Sequence, residues 1–172
     1  RIPGPALMLR GDAKTMAWRT VSQTLDVSVG QVIRLEFDAR SKAVKREGRQ
    51  YDNCHVALMS TDQNGKVIGR AVQDVSEATA DWKLFSVDFK VPEGASKTVV
   101  YAFLSKTGII GVKGVNVVRV AGPPDVAKTE QTNYIRNGQF QVWEDGVPAS
   151  WTSEIAAKNG SDTPESEIKP LA

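Results

Sequence analysis

The 172-residue sequence holds one cysteine, one histidine and no apolar run near the ~20 residues of a membrane helix. Cys54 alone cannot close a disulfide within the chain, so no disulfide framework holds the fold. The redox compartment stays open: a secreted bacterial protein and a virion part assembled in a cytosol both fit. Cys54 and His55 together fall short of a structural zinc site. Net charge is only +2, which argues against a dedicated nucleic-acid binder, because phosphate contacts need a concentrated basic face. Neither nucleic acid nor membrane insertion is expected. Catalytic signatures are missing too. A glycosidase needs two positioned carboxylates, and no motif sets such a pair apart. Nucleophile–histidine chemistry would rest on His55, which has no flanking signature. The chain opens at Arg1 with no methionine and no signal-peptide pattern, so it is expected to be cut from a longer, multi-domain protein.

What the sequence does have is alternation. Hydrophobic residues make up 41% and charged residues 24%, an ordinary globular balance, over a length that fits one sizeable core or one domain plus part of another. The pattern is clearest from Trp18 to Arg40. Val21, Gln23, Leu25, Val27 and Val29 fall on one face of a first run, with Ser22, Thr24, Asp26 and Ser28 opposite. After Gly30, Ile33, Leu35, Phe37 and Ala39 point one way and Arg34, Glu36, Asp38 and Arg40 the other. Such a period of two marks half-buried antiparallel strands.

The same pattern recurs along the chain. Ala6–Arg10 reads as a short strand. Cys54, Val56 and Leu58 share one face of another, with Tyr51, Asn53, His55, Ala57 and Met59 opposite. Asp62–Gly65 is a hairpin turn signal, and 66–72 can return as a strand. In 82–91, Phe85, Val87, Phe89 and Val91 face inward until Pro92 stops the run. Thr98–Ser105 is apolar on both faces, as a central strand would be: Val100, Ala102 and Leu104 on one side, Val99, Tyr101 and Phe103 on the other. Gly108, Gly111 and Gly114 read as a glycine-rich connection before a last strand at 115–120. Strands with turn punctuation and no long helix predict an all-β, antiparallel sandwich or barrel.

Composition divides the chain into a β module over 1–122, a linker over 123–132, a segment over 133–157 and an extended polar tail over 158–172. Trp143 and Trp151 in the third segment are expected to pack against a second body.

The order A-W-x-x-V-x-Q-x-L-x-V-x-x-G, then L-x-F-x-A-R, then D-W-K-x-F-S-V-x-F-x-V-P-E-G-A, then V-x-V-x-R-V, resembles carbohydrate-binding modules of the family four and nine type. The resemblance covers Ala6 to Val120 and implies a galactose-binding-like β-jelly-roll that binds polysaccharide or cell-surface glycan outside the cell. Members open with a strand of the form N-G-x-F-E. Here that motif stands near the other end, as Asn137-Gly138-Gln139-Phe140-Gln141, so 133–157 either begins a second module or donates an edge strand to a sandwich. A structural calcium is common near the termini of such modules. This chain has Gly114-Val115-Asn116 and Gln141 where the acids would fall, and no cofactor is expected. The stretch N-Y-I-R-N-G-Q-F-Q-V-W-E-D-G also resembles the opening of domains in bacteriophage tail-fibre and virion proteins, which implies a structural role in assembly and neighbouring modules as partners.

In the modules the chain resembles, sugar lies across the concave sheet or at the loop tips. The residues that would meet it are Arg34, Glu36, Asp38 and Arg40, then Tyr51, Asn53 and His55, then Tyr101, with Phe103 beside it. The alternative is a solvated outer face laced with ion pairs. Trp18 and Trp82 either serve as stacking platforms or pack at the rim of the core. Gln23, an amide inside an apolar row, is expected to bond nearby backbone. Cys54 falls on the core face. The loop bearing Lys42, Lys45, Arg46 and Arg49 is either solvated or attracts an anionic glycan or phosphate.

Overall fold

The computed structural model describes residues 5–11, 18–44, 53–76, 81–105, 107–123, 133–156 and 168–171. The strands are β1 (Ala6–Gly11), β2 (Trp18–Leu25), β3 (Val32–Lys42), β4 (Cys54–Thr61), β5 (Val67–Asp74), β6 (Lys83–Lys90), β7 (Lys97–Ser105), β8 (Gly108–Ala121), β9 (Trp143–Glu144), β10 (Val147–Pro148), β11 (Thr152–Ala156) and β12 (Ile168–Leu171). Two five-stranded sheets, ordered β12-β1-β8-β3-β6 and β11-β2-β7-β4-β5, stack around one core, and β9 and β10 form a small hairpin of their own. Every pairing is antiparallel. There is no helix among the described residues. The fold is an all-β jelly-roll sandwich.

Alternation builds it. In β2 the odd positions Arg19, Val21, Gln23 and Leu25 are buried, while Trp18, Thr20, Ser22 and Thr24 face outward. In β3 the inward row is Ile33, Leu35, Phe37 and Ala39, each fully buried. Cys54, Val56 and Leu58 of β4 meet them from the other sheet, as do Val100, Ala102 and Leu104 of β7. Strand β7 lies at the centre of its sheet, which is why it is apolar on both faces. Phe85 of edge strand β6 stacks on Phe37 at 5.5 Å between ring centroids.

Three stretches depart from the sequence reading. Val29 sits in the turn after β2 and is 42% exposed, because the strand ends at Leu25. The glycines 108, 111 and 114 do not form a loop. They lie within β8, which runs through all of Gly108–Ala121. Each has a local reason. A side chain on Gly111 would press on Trp82 at 3.0 Å. Gly114, at φ +60°, makes a bulge: Glu36 pairs with Asn116 and Asp38 with Lys113, so Phe37 faces Gly114 and Val115 together. Gly108 has φ +100°.

The third departure concerns the end of the chain. Strand β1 pairs only with the first part of β8, from Gly108 to Val112. Beyond it, residues 133–138 take up the same side of β8: Tyr134 N–H donates to Val117 O (2.8 Å), Val117 N–H to Asn133 Oδ1 (3.0 Å) and Val115 N–H to Gly138 O (3.0 Å). The chain then crosses the sandwich and returns as β11, the edge partner of β2. Tyr134, Ile135, Phe140 and Trp151 join the common core, and Trp143 packs against it. Segment 133–156 thus covers an edge of each sheet that would otherwise expose unpaired backbone groups. The 158–172 stretch contains β12, which pairs with β1 from Ala6 to Leu9, so at 168–171 a sheet edge replaces an extended tail. The rest of the linker and of that tail lies outside the described residues.

Candidate functional site

The outer face of the β11-β2-β7-β4-β5 sheet carries an aromatic row. Cross-strand partners share a face, so Thr20, Phe103, His55 and Asp74 form one line across β2, β7, β4 and β5. The next line holds Thr152, Ser22, Tyr101, Ala57 and Val72. Trp18 stands at the end of β2 beside them. Its ring is tilted 31° to Phe103 at 6.2 Å. Phe103 stacks on His55 at 4.8 Å, and His55 meets Tyr101 edge-on at 5.4 Å. Trp18 is 36% exposed and Phe103 half-buried, whereas His55 and Tyr101 are buried beneath their neighbours. The expectation that Trp18 packs at the rim gives way to an open ring, since it shares the outward parity of Thr20 and Ser22.

His55 is held from both nitrogens. Its Nδ1 lies 3.0 Å from Asn53 Oδ1 and its Nε2 3.3 Å from the Tyr101 hydroxyl. An amide oxygen only accepts, so Nδ1 carries the proton and Nε2 accepts from tyrosine, the arrangement of a neutral ring. Burial, then the nearby charge of Arg70, lower the imidazole pKa to about 4 against a partial pull upward from Asp74. Burial likewise pushes the Tyr101 phenol up. The network therefore presents fixed, uncharged donors and acceptors at neutral pH, next to ring faces that can stack on apolar C–H surfaces.

The remaining candidates lie elsewhere. Arg34, Glu36, Asp38 and Arg40 belong to β3, in the other sheet, and share no face with Asn53, His55 and Tyr101. The reading that one sheet face carries all of them is corrected by this topology: β3 and β4 are consecutive but sit in different sheets. Arg34 is committed to Asp88 through two hydrogen bonds, Nε to Oδ1 at 2.7 Å and Nη2 to Oδ2 at 2.9 Å. The hydrogen bond first, then the charge, raise the Arg34 pKa. The same hydrogen bond holds the Asp88 carboxyl below its usual range. Arg40 and the Lys113 ammonium both lie over the Trp82 ring, 4.7 and 4.4 Å from its centroid. Asp38, opposite Lys113, is 8% exposed. Tyr51, Lys45, Arg46 and Arg49 lie outside the described residues, and Lys42 is exposed at the end of β3. Among the described residues no group of three His, Cys, Asp or Glu stands together to hold a metal ion, and no helix is long and apolar enough to cross a membrane.

No protein-family model matches the sequence, and no curated protein matches it either. Solved structures do. The apo structure of the PbXyn10C carbohydrate-binding module is similar over 99% of this chain and 89% of its own, with a TM-score of 0.59 and 15% identity. The enzymatically active domain of tailspike protein 4 of bacteriophage CBA120 is similar over 67% of this chain, with a TM-score of 0.53 and 17% identity. This chain has the fold of a carbohydrate-binding module. At these identities the likeness speaks for fold and leaves ligands open. The chain spans only 15% of the tailspike it matches.

Of the residues named from the sequence, Asn53, His55 and Tyr101 meet on the outer face of this sheet. Sequence reasoning overlooked Arg70, which alternation on edge strand β5 turns outward across from Met59, its Nη2 3.7 Å from the Met59 sulfur.

Proposed function

We propose that the chain is a non-catalytic carbohydrate-binding module of a larger extracellular or virion protein. Glycan lies on the outer face of the β11-β2-β7-β4-β5 sheet. The observation that carries this reading is the open Trp18–Phe103 pair backed by the His55–Tyr101 network. Pyranose rings stack on the two outer rings, while Asn53 and Arg70 offer hydrogen bonds at their edge and the buried Tyr101 supports them from beneath. His55 stays neutral and positions the Tyr101 hydroxyl. The β3 residues Arg34, Glu36, Asp38 and Arg40 drop out of the site, because a ligand on one outer face of a sandwich cannot reach the other. Affinity electrophoresis against a panel of plant and bacterial polysaccharides tests the reading. Retardation by at least one of them, lost in Trp18→Ala and weakened in Asn53→Ala, supports it. No retardation by any of them removes it.

A second reading is favoured by segment 133–156. Its strand pairing with β2 and its contacts along β8 are main-chain complementation of sheet edges, the means by which modules join into fibres. On that reading the chain is a structural module of an extracellular or bacteriophage assembly, with neighbouring modules as partners. Stable self-association that depends on 133–157, with no glycan bound, distinguishes it.

A further inference from the structure

The outer face of the β12-β1-β8-β3-β6 sheet gathers positive charge at one end. Register sets Arg10 and Lys42 on either side of Ile109, Arg40 across from Gly111 and Lys113 across from Asp38. Arg10 and Lys42 are exposed. Arg40 and Lys113 share the Trp82 ring, 4.7 and 4.4 Å from its centroid. Among the described residues none of these four cations is in an ion pair, whereas Arg34, further along β3, is closed by Asp88. Asp38, the acid within the patch, is only 8% exposed. Two like charges on one ring repel, and the ring offsets this only in part; a carboxylate laid beside them removes the repulsion. Leu84 of β6, across from Asp38, adds an apolar side chain that is 55% exposed.

The same chain carries a surface of opposite sign. The β9–β10 hairpin turns through Glu144, Asp145 and Gly146, all exposed. Asp145 at φ +49° and Gly146 at φ +77° close the tight turn. Trp143 faces the core and its Nε1–H donates to Phe140 O at 2.7 Å, so alternation turns Val142 and Glu144 outward. Val142 is 55% exposed. Asn137 fixes the base of this arm. Its Oδ1 accepts from Gln141 N–H (2.9 Å) and Val142 N–H (3.2 Å), and its Nδ2 donates to Val142 O (2.7 Å) and Ala149 O (3.2 Å). Neither Glu144 nor Asp145 is in an ion pair among the described residues. An arm held this firmly loses little in ordering when it docks.

We propose that the cationic face of one copy receives the β9–β10 hairpin of a second copy. Glu144 and Asp145 meet Arg40 and Lys113, and Val142 and Leu84 form the apolar part of the contact. Charge complementarity between two unpaired surfaces of one chain selects a second copy as the occupant. The two surfaces differ, so the contact is head-to-tail and continues from copy to copy as a ring or a filament. The inference rests on the assembly reading above and names the surfaces that join. It leaves the Trp18–Phe103 face open, because that face belongs to the other sheet.

Sedimentation velocity of the full chain over a range of concentration and salt tests it. The expected result is self-association that weakens at least tenfold from low to high salt. Arg40→Glu with Lys113→Glu should abolish it, and so should Glu144→Lys with Asp145→Lys. Mixing the two variants should restore association, because each reversed surface then meets its complement. Arg10→Glu with Lys42→Glu, both at exposed positions, replaces the first pair should the Trp82 stack not tolerate reversal. Association that neither pair alters, or that mixing fails to restore, overturns this contact and leaves the assembly reading standing. A chain that stays monomeric at every salt concentration overturns the assembly reading as well. If that monomer binds polygalacturonate through Arg40 and Lys113, an acidic glycan takes the place of the second copy.

Discussion

The side-chain amide of Gln23 binds the backbone of Arg136 at both ends, accepting from its N–H at 2.8 Å and donating to its carbonyl at 3.0 Å. The residues are separated by 113 positions, and this pair ties the late segment to β2. Gln23 is buried at 5% exposure beside Val21 and Leu25, so its removal strands the Arg136 N–H and the Ser150 carbonyl and leaves the Arg136 carbonyl with Trp151 Nε1–H alone. Gln23→Ala should therefore cost about 2 kcal/mol, read as a lower urea midpoint at unchanged slope. Backbone amide exchange should quicken first in 136–152. A variant as stable as the parent, with unaltered exchange there, would show that the amide is not the tie.

Gly138 is a second fastening point. A Cβ placed on it would come within 2.1 Å of Val115 O and 2.8 Å of Ile135 Cγ2, and the first of these is backbone that cannot yield without breaking the bulge. Gly138→Ala should thus destabilise by at least the 1–3 kcal/mol typical of overpacking. Gly65, by contrast, has nothing within 4 Å and only its φ of +78° to protect, so Gly65→Ala should cost about 1 kcal/mol from backbone strain alone. Thermal melts of the two variants, taken side by side, check the order.

How legible this molecule was depends on whether a feature is periodic or long-range. The facing of β2, β3 and β7 followed from every second residue, whereas Trp18 read as rim packing although its even position sets it with Thr20 and Ser22. Alternation says which residues share a strand face. It does not say which strands share a sheet, and Arg34–Arg40 and Asn53–His55 were therefore grouped on a surface they do not share. The glycines of β8 were misleading for a related reason. Glycine marks turns by its freedom, but Gly111 is small because Trp82 lies over it, and Gly114 because a bulge needs it. The docking of 133–156 rests on Gln23, Asn133 and Gly138 meeting partners distant in sequence, and no local pattern encodes such meetings. Only the N-G-x-F signature, with its oddly late position, pointed there.

His55 makes stability depend on pH in a definite direction. Its folded pKa is about 4 and its ordinary value 6.5. Between the two the unfolded chain binds the extra proton and the folded one does not, so stability falls as pH drops through this window and levels off below about 4. The full effect is about 3 kcal/mol. Carboxylates titrate in the lower part of the same range, so the contribution is isolated by difference. Urea midpoints of the parent should fall more steeply from pH 6.5 to 4.5 than those of His55→Gln. Parallel curves would place the imidazole in water rather than beneath Phe103 and Tyr101.

The two faces of the sandwich should separate cleanly in three variants. Trp18 is 36% exposed and its loss opens no interior cavity, so Trp18→Ala should leave stability within about 1 kcal/mol of the parent while weakening glycan binding tenfold or more. Trp82 lies over Gly111 on the opposite face, against Arg40 and Lys113. Trp82→Ala should lower stability and leave binding alone. Phe37 is fully buried and stacked on Phe85, and Phe37→Ala should cost about 3–5 kcal/mol. Denaturant midpoints paired with affinity electrophoresis on the same preparations decide the matter. If Trp82→Ala abolishes binding while still folded and Trp18→Ala does not, the ligand belongs on the β3 face, and the assignment made from Trp18 and Phe103 is reversed.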